Sequence, residues 1–121
     1  MTMFLFRRGP GRLTPDQAHA RTSTGDAVLL DVRETPEWKA GHAPRAVHLP
    51  LSRLLTGTEL PAGATGKPVV AICRSGHRSR QAAKYLTAKG IDAVDVTGGM
   101  IAWAQAGLAV TSSGGRGGSI A

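Results

Sequence analysis

The stretch Val69-Val70-Ala71-Ile72-Cys73-Arg74-Ser75-Gly76-His77-Arg78-Ser79-Arg80 decides the fold of this chain. Residues 69–72 form a continuous apolar run behind Pro68, which reads as a parallel strand buried on both faces. Residues 79–89 (SRQAAKYLTAK) carry Ala82, Ala83 and Leu86 at helical spacing and stop at Gly90. Cys73, the only cysteine, therefore stands where the strand ends. Residues 73–78 must turn into the first turn of the helix, where backbone N–H groups lack intrahelical partners and the dipole is positive. Gly76 lets the loop curl so that successive N–H groups point inward, forming a nest for an anion. The anion can be the Cys73 thiolate itself, which such a setting favours over the thiol.

Working outward, Thr14-Pro15-Asp16-Gln17 reads as a helix start, with Thr14 as N-cap, Pro15 at the first helical position and Gln17 completing a capping box. That helix ends near Thr24-Gly25. Residues 27–32 (AVLLDV) form an apolar strand, and a short helix follows over residues 36–40 before Gly41. Residues 46–49 (AVHL) form a third strand closed by Pro50, and Ser52 caps a helical segment running through Leu55. Residues 57–67 are a loop rich in Gly, Thr and Pro. Beyond the central strand and helix come a strand at residues 93–96 (AVDV) and a last helix from Gly99 to about Ala106. This alternation predicts an α/β domain, a mostly parallel sheet of four to five strands with helices on both faces. Ligands of such sheets bind beyond the carboxyl ends of the strands, where Cys73, and Asp31 with Arg33, are expected.

A chain of 121 residues holds one domain and little more. The expected division is a leading segment over residues 1–12, a domain over 13–110 and a disordered Gly/Ser-rich tail over 111–121 (TSSGGRGGSIA). There is no apolar run of membrane-spanning length, and the opening Met1-Thr2-Met3-Phe4-Leu5-Phe6-Arg7-Arg8 has its apolar residues before its charges, the reverse of a signal peptide. A cytoplasmic location is expected, and it suits a lone thiol that must stay reduced. The formal charge of +7 raises the question of nucleic acid. Arg7, Arg8, Arg12 and Arg116 lie outside the expected domain, Arg74, Arg78 and Arg80 crowd one loop, and no aromatic residues interleave with them as a stacking surface requires. A small anionic substrate explains the loop cluster better, and neither a nucleic-acid nor a membrane partner is expected. His19, His42, His48 and His77 lack metal-ligand spacing, so no metal and no cofactor is expected.

Within the loop, Cys73 is the candidate nucleophile, because the residues that follow it form a polar turn unsuited to a core. Arg74, Ser75, Gly76, His77, Arg78 and Ser79 are the candidate substrate-binding residues. Arg74 is expected to project into the cleft mouth, and Arg78 either to touch substrate or to brace the loop against a carboxylate. Asp31, Arg33 and Trp38 are supporting candidates, the first two through structural ion pairs or hydrogen bonds that hold the loop, since charged groups near a core need partners. Trp103 reads as a packing residue and His42 as a turn residue.

The segment Cys73-Arg74-Ser75-Gly76-His77-Arg78-Ser79 resembles the active-site loop of the rhodanese family, sulfurtransferases that carry a sulfane sulfur as a cysteine persulfide. Two further segments match the family in the same order: Asp31-Val32-Arg33-Glu34 with Glu37-Trp38 and Gly41-His42, and Gly98-Gly99-Met100-Ile101-Ala102-Trp103. The resemblance covers roughly residues 13–110. Ala43, in place of a branched apolar residue, and Arg45, in place of a glycine, depart from the pattern outside the loop. The resemblance implies a rhodanese-like fold and a ping-pong reaction. Sulfur moves from thiosulfate or a related donor onto Cys73, then to cyanide, a thiol or a protein acceptor. It leaves two alternatives open: a persulfide carrier or sensing module without turnover, and a phosphatase of the rhodanese-like type. The phosphatases place five residues between Cys and Arg, whereas four separate Cys73 from Arg78.

Overall fold

The computed structural model describes residues 11–115 and 117–121. In chain order the elements are β1 (Arg12–Leu13), α1 (Pro15–Ser23), β2 (Val28–Asp31), α2 (Thr35–Ala40), β3 (Val47–His48), α3 (Leu51–Leu55), a short 3-10 turn (Ala62–Ala64), β4 (Val69–Ile72), α4 (His77–Ala88), β5 (Ala93–Val96) and α5 (Gly99–Gln105). The five strands are parallel in the order β1-β5-β4-β2-β3. The α/β class, the parallel sheet and the helices on both faces match the sequence reading.

Alternation along the strands divides the core in two. Leu30, Val32, Val69, Ala71 and Ala93 face Leu51 and Leu54 of α3 and Ala82, Ala83 and Leu86 of α4. Leu29, Val70, Ile72, Val94 and Val96 face Ala18 of α1 and Met100 and Trp103 of α5. The side-chain period of two sends Cys73 to the same side as Val69 and Ala71, toward α4.

The start of α1 follows its signal. Thr14 Oγ1 accepts from the Gln17 N–H at 3.2 Å, and Gln17 Oε1 accepts from the Thr14 N–H at 2.9 Å. Four boundaries differ from expectation. Arg12, assigned to the leading segment, opens the edge strand β1 and pairs with Asp95 in the ladder; residues 1–10 of that segment lie outside the described residues. The helix α3 is entered through Pro50, and Ser52 donates to Glu34 Oε2 at 3.3 Å in place of capping. The helix α4 begins at His77, two residues before the predicted start, because Gly76 turns the chain sharply with a φ of 108°.

The tail is the fourth difference. Composition assigns residues 111–121 to disorder, yet His42 and Thr111 exchange backbone hydrogen bonds of 2.8 Å in both directions, and the Ser119 N–H donates to the Ala40 carbonyl at 3.0 Å. Glycine makes the crossing possible: a Cβ on Gly41 would stand 2.3 Å from the Ser119 carbonyl oxygen. Ile120 adds an apolar anchor against the α1/α5 side of the core. Arg116 lies outside the described residues.

Candidate active site

The carboxyl ends of β2 and β4 are adjacent, with Asp31 in register with Ile72, so the chain leaving each strand enters one region. The Cys73 side chain is 1 % exposed and belongs to the core layer under α4. Its sulfur nevertheless has polar neighbours. The Gly76 N–H donates to Sγ at 3.1 Å, and Ser79 Oγ lies 3.3 Å from Sγ. Since α4 begins at His77, Ser79 sits in its first turn on the inward side, fully buried. The sulfur is thus held at the mouth of a helix N-terminus with a backbone donor on it.

Glycines let the last helix close on this loop. The Met100 N–H donates to the Cys73 carbonyl at 2.7 Å and the Ile101 N–H to the Arg74 carbonyl at 3.1 Å, so free donors at the start of α5 satisfy loop acceptors. A Cβ on Gly99 would come within 2.3 Å of the Cys73 oxygen, and Gly99 has a φ of 58°. Here Gly98-Gly99 is a packing requirement of the loop.

The candidates divide into two groups. Cys73, Gly76 and Ser79 converge on one sulfur. Arg78 turns away from it: Nη1 and Nη2 donate to Glu37 Oε1 and Oε2 at 2.6 and 2.9 Å, bracing α4 against α2. Arg74 is exposed and its Nε donates to the Ala121 carbonyl at 2.8 Å. Ser75 and His77 are exposed, with 3.5 Å between Ser75 Oγ and His77 Nδ1. Asp31 and Arg33 form a fully buried ion pair of 2.7 Å, and Arg33 Nη2 also donates to the Gly41 carbonyl at 2.6 Å. Trp38 stacks on His42 and His48, at centroid distances of 3.6 and 4.8 Å. His42 Nδ1 lies 2.6 Å from the Trp38 carbonyl, which ties it to the turn. Trp103 is buried in the core and its Nε1–H donates to the Ala109 carbonyl.

Two residues behind the sulfur escaped the sequence reading. Asp95 on β5, 1 % exposed, accepts from the Ser79 hydroxyl at 2.8 Å and from Arg12 Nε and Nη2 at 3.1 Å each. Arg12 Nη2 also donates to the Gly76 carbonyl at 2.8 Å. The available signal was the charge of Asp95 inside an otherwise apolar strand, which demands a partner.

The Arg78 hydrogen bonds, opposed by burial and helped by the Glu34 N–H, hold the Glu37 carboxyl down at about 2, against an ordinary value of 4.5. A depressed carboxylate adds stability above its unfolded value and loses it as pH falls through its folded one. The stability advantage of the parent over Glu37→Gln is therefore expected to be full above pH 4.5 and to shrink toward pH 2. Urea midpoints of the two proteins across this window measure it; a constant difference would show that the pair does not brace the loop.

Among the described residues no group of three or more His, Cys, Asp or Glu side chains could hold a metal, and no helix is long and apolar enough to cross a membrane. A cleft of about 610 Å³ opens at the opposite, amino-terminal ends of β4 and β5, lined by Leu60, Lys67, Pro68, Ile91 and Asp92 among others. It lies at the other end of the sheet from Cys73, whereas ligands of parallel sheets bind at the carboxyl ends.

Known proteins share this fold. The chain is 38 % identical over 94 residues to the adenylyltransferase and sulfurtransferase UBA4 of Yarrowia lipolytica, an alignment covering 78 % of the chain and 24 % of that relative, so the chain spans about a quarter of its length. A rhodanese-related protein from Thermoplasma volcanium superposes with a TM-score of 0.70 at 26 % identity, covering 86 % of this chain and 98 % of the other. A rhodanese-like domain protein from Staphylococcus aureus does so with a TM-score of 0.63 at 30 % identity, covering 76 % and 89 %. With residues 14–106 matched by the family model of the rhodanese-like domain, the chain belongs to the rhodanese-like family.

Proposed function

We propose that the protein is a sulfurtransferase that carries sulfur as a persulfide on Cys73. The observation that carries this reading is the Gly76 N–H aimed at Cys73 Sγ from the turn that opens α4. In the first half-reaction the thiolate attacks the outer sulfur of thiosulfate or a related donor. A bond forms between the two sulfurs, the sulfur–sulfur bond of the donor breaks, and sulfite leaves with the electron pair. In the second, cyanide, a thiol or a protein acceptor attacks the outer sulfur and the electron pair returns to Sγ. No general base is needed once Cys73 is ionised. The burial of Sγ supports a donor whose reacting atom projects on a narrow arm, as the outer sulfur of thiosulfate does. The exposed Arg74 supplies charge at the loop surface for an anionic donor. A cytosolic setting suits a chain whose reactive group is its one thiol.

The position of Arg78 speaks against phosphate-ester hydrolysis. With four residues between Cys73 and Arg78, and both guanidinium arms on Glu37, this arginine is a brace rather than a ligand for phosphoryl oxygens. Intact mass after incubation with thiosulfate tests the proposal. The protein is expected to gain one sulfur atom, to lose it on addition of cyanide with formation of thiocyanate, and to leave an aryl phosphate unhydrolysed. An unchanged mass overturns the proposal, and sulfur loading without release to cyanide assigns the protein to the carriers that do not turn over with small acceptors.

A further inference from the structure

The hydrogen bonds behind Cys73 form a closed ring that the catalytic loop alone does not contain. It runs from Sγ to Ser79 Oγ, to Asp95, to Arg12, to the Gly76 carbonyl, and returns to Sγ through the Gly76 N–H. A serine hydroxyl has one proton to give. While Cys73 is a thiol, its S–H can donate to Ser79 Oγ and the Ser79 O–H can donate to Asp95, so every group is satisfied. Once Sγ is an anion, it and the Asp95 carboxylate compete for the same proton. Arg12 decides the competition, because Asp95 retains two N–H donors when Ser79 turns away, whereas without Ser79 the sulfur anion keeps the Gly76 N–H alone among these donors. A buried carboxylate without partners would hold the hydroxyl.

We propose that Arg12 and Asp95 are positioning residues that free the Ser79 hydroxyl to stabilise the Cys73 sulfur anion, chiefly as it leaves in the second half-reaction. The proposal rests on the persulfide chemistry proposed above. In the persulfide the charge lies on the outer sulfur, Sγ is neutral, and the Ser79 O–H points back to Asp95. When cyanide attacks, its carbon bonds to the outer sulfur, the S–S bond breaks and the electron pair moves to Sγ. The Ser79 O–H then rotates from Asp95 Oδ2 to Sγ, and thiocyanate leaves. No proton changes owner during the step. Among the described residues, the other charged groups on the elements around this sulfur include Arg78 on α4, neutralised by Glu37 of α2, the Asp31/Arg33 pair at the end of β2 and the exposed Arg74 of the loop, which donates to the Ala121 carbonyl; His77 at the start of α4 is exposed.

Single-turnover kinetics on persulfide-loaded protein, with loading verified by mass, test the proposal using cyanide as the acceptor. Ser79→Ala is expected to slow sulfur release by roughly ten- to a hundredfold, the effect of one hydrogen bond to a charged group, and to slow loading much less. Arg12→Met should slow release in the same direction, because the unpartnered Asp95 captures the hydroxyl, and adding Asp95→Asn should restore part of the loss. Arg12→Met introduced into Ser79→Ala should then have little further effect. An equal factor for Arg12→Met in both backgrounds, or release unaffected by Ser79→Ala, overturns the proposal. A second measurement does not depend on sulfur loading. The pH midpoint for alkylation of Cys73 by iodoacetamide should move upward in Ser79→Ala and in Arg12→Met, whereas an unmoved midpoint in both removes the role of the ring. Failure of loading itself would count against the sulfurtransferase reading, and the alkylation profile would still decide the ring.

Discussion

Cys73→Ser is expected to abolish sulfur loading, with the mass unchanged after thiosulfate and transfer to cyanide at the uncatalysed background. The reason is chemical rather than structural. A serine hydroxyl is not ionised near neutral pH and forms no persulfide, and Cys73 is the only thiol in the chain. The fold should survive. The smaller hydroxyl can still meet the Gly76 N–H and Ser79 Oγ, so the loss of stability should be on the order of 1 kcal/mol. Thiocyanate formation and a thermal melt on the same sample separate the two effects. A serine variant that still acquires covalent sulfur would place the chemistry elsewhere, and one that fails to fold would show that the sulfur is needed for packing.

Arg33→Leu is expected to cost about 3–5 kcal/mol, the range found when one partner of a buried ion pair is removed. Both side chains are 0 % exposed. The guanidinium donates through Nε and Nη2 to the Asp31 carboxylate at 2.7 to 3.2 Å and through Nη2 to the Gly41 carbonyl. Leucine would leave a buried carboxylate with the Arg33 backbone N–H as its one remaining partner among these, and a buried carbonyl with none of them. Replacing both members, in Asp31→Leu/Arg33→Leu, should recover much of the loss, since the stranded charge is then gone. The pair is also expensive as it stands, because Arg33 Nη1 is buried without a protein acceptor among the described residues. Urea denaturation of the parent, the single and the double variant measures the effect. A single variant within about 1 kcal/mol of the parent would mean that the site reorganises around Asp31 or admits solvent.

Neither prediction needs the same kind of knowledge, and the difference shows what was legible beforehand. The position of Cys73 could be read from the sequence, since a lone thiol between an apolar strand and a helix falls at the strand end. Ion-pair or hydrogen-bond partners for Asp31 and Arg33 were expected because charges at the end of a buried strand need them, and the structure shows that each is the other's, two residues away. The capping box of Thr14 and Gln17 was legible for the same reason: its hydrogen bonds span three residues. Boundaries that depend on a single backbone turn were less visible. The left-handed turn at Gly76 moves the start of α4 back to His77, and so places Ser79 in the helix's first turn rather than at its first residue.

The parallel α/β sheet, the helices on both faces, the cysteine at the end of β4 and the turn that follows it were readable from local pattern, because each rests on periodicity or on residues within one turn or one strand. What surrounds the sulfur depends on residues brought together from distant parts of the chain. Arg12 reaches Asp95 across 83 positions and Gly76 across 64, and Arg78 finds Glu37 across 41. Such pairs are chosen by strand order, which puts β1 beside β5 and β5 beside β4, and no local pattern carries that information. The tail shows the same limit, since its Gly-rich composition argues for disorder on average. Its position against Gly41 depends on two backbones meeting at Gly41 and Gly118, where neither bears a side chain: a Cβ on Gly118 would stand 2.7 Å from the Gly41 Cα.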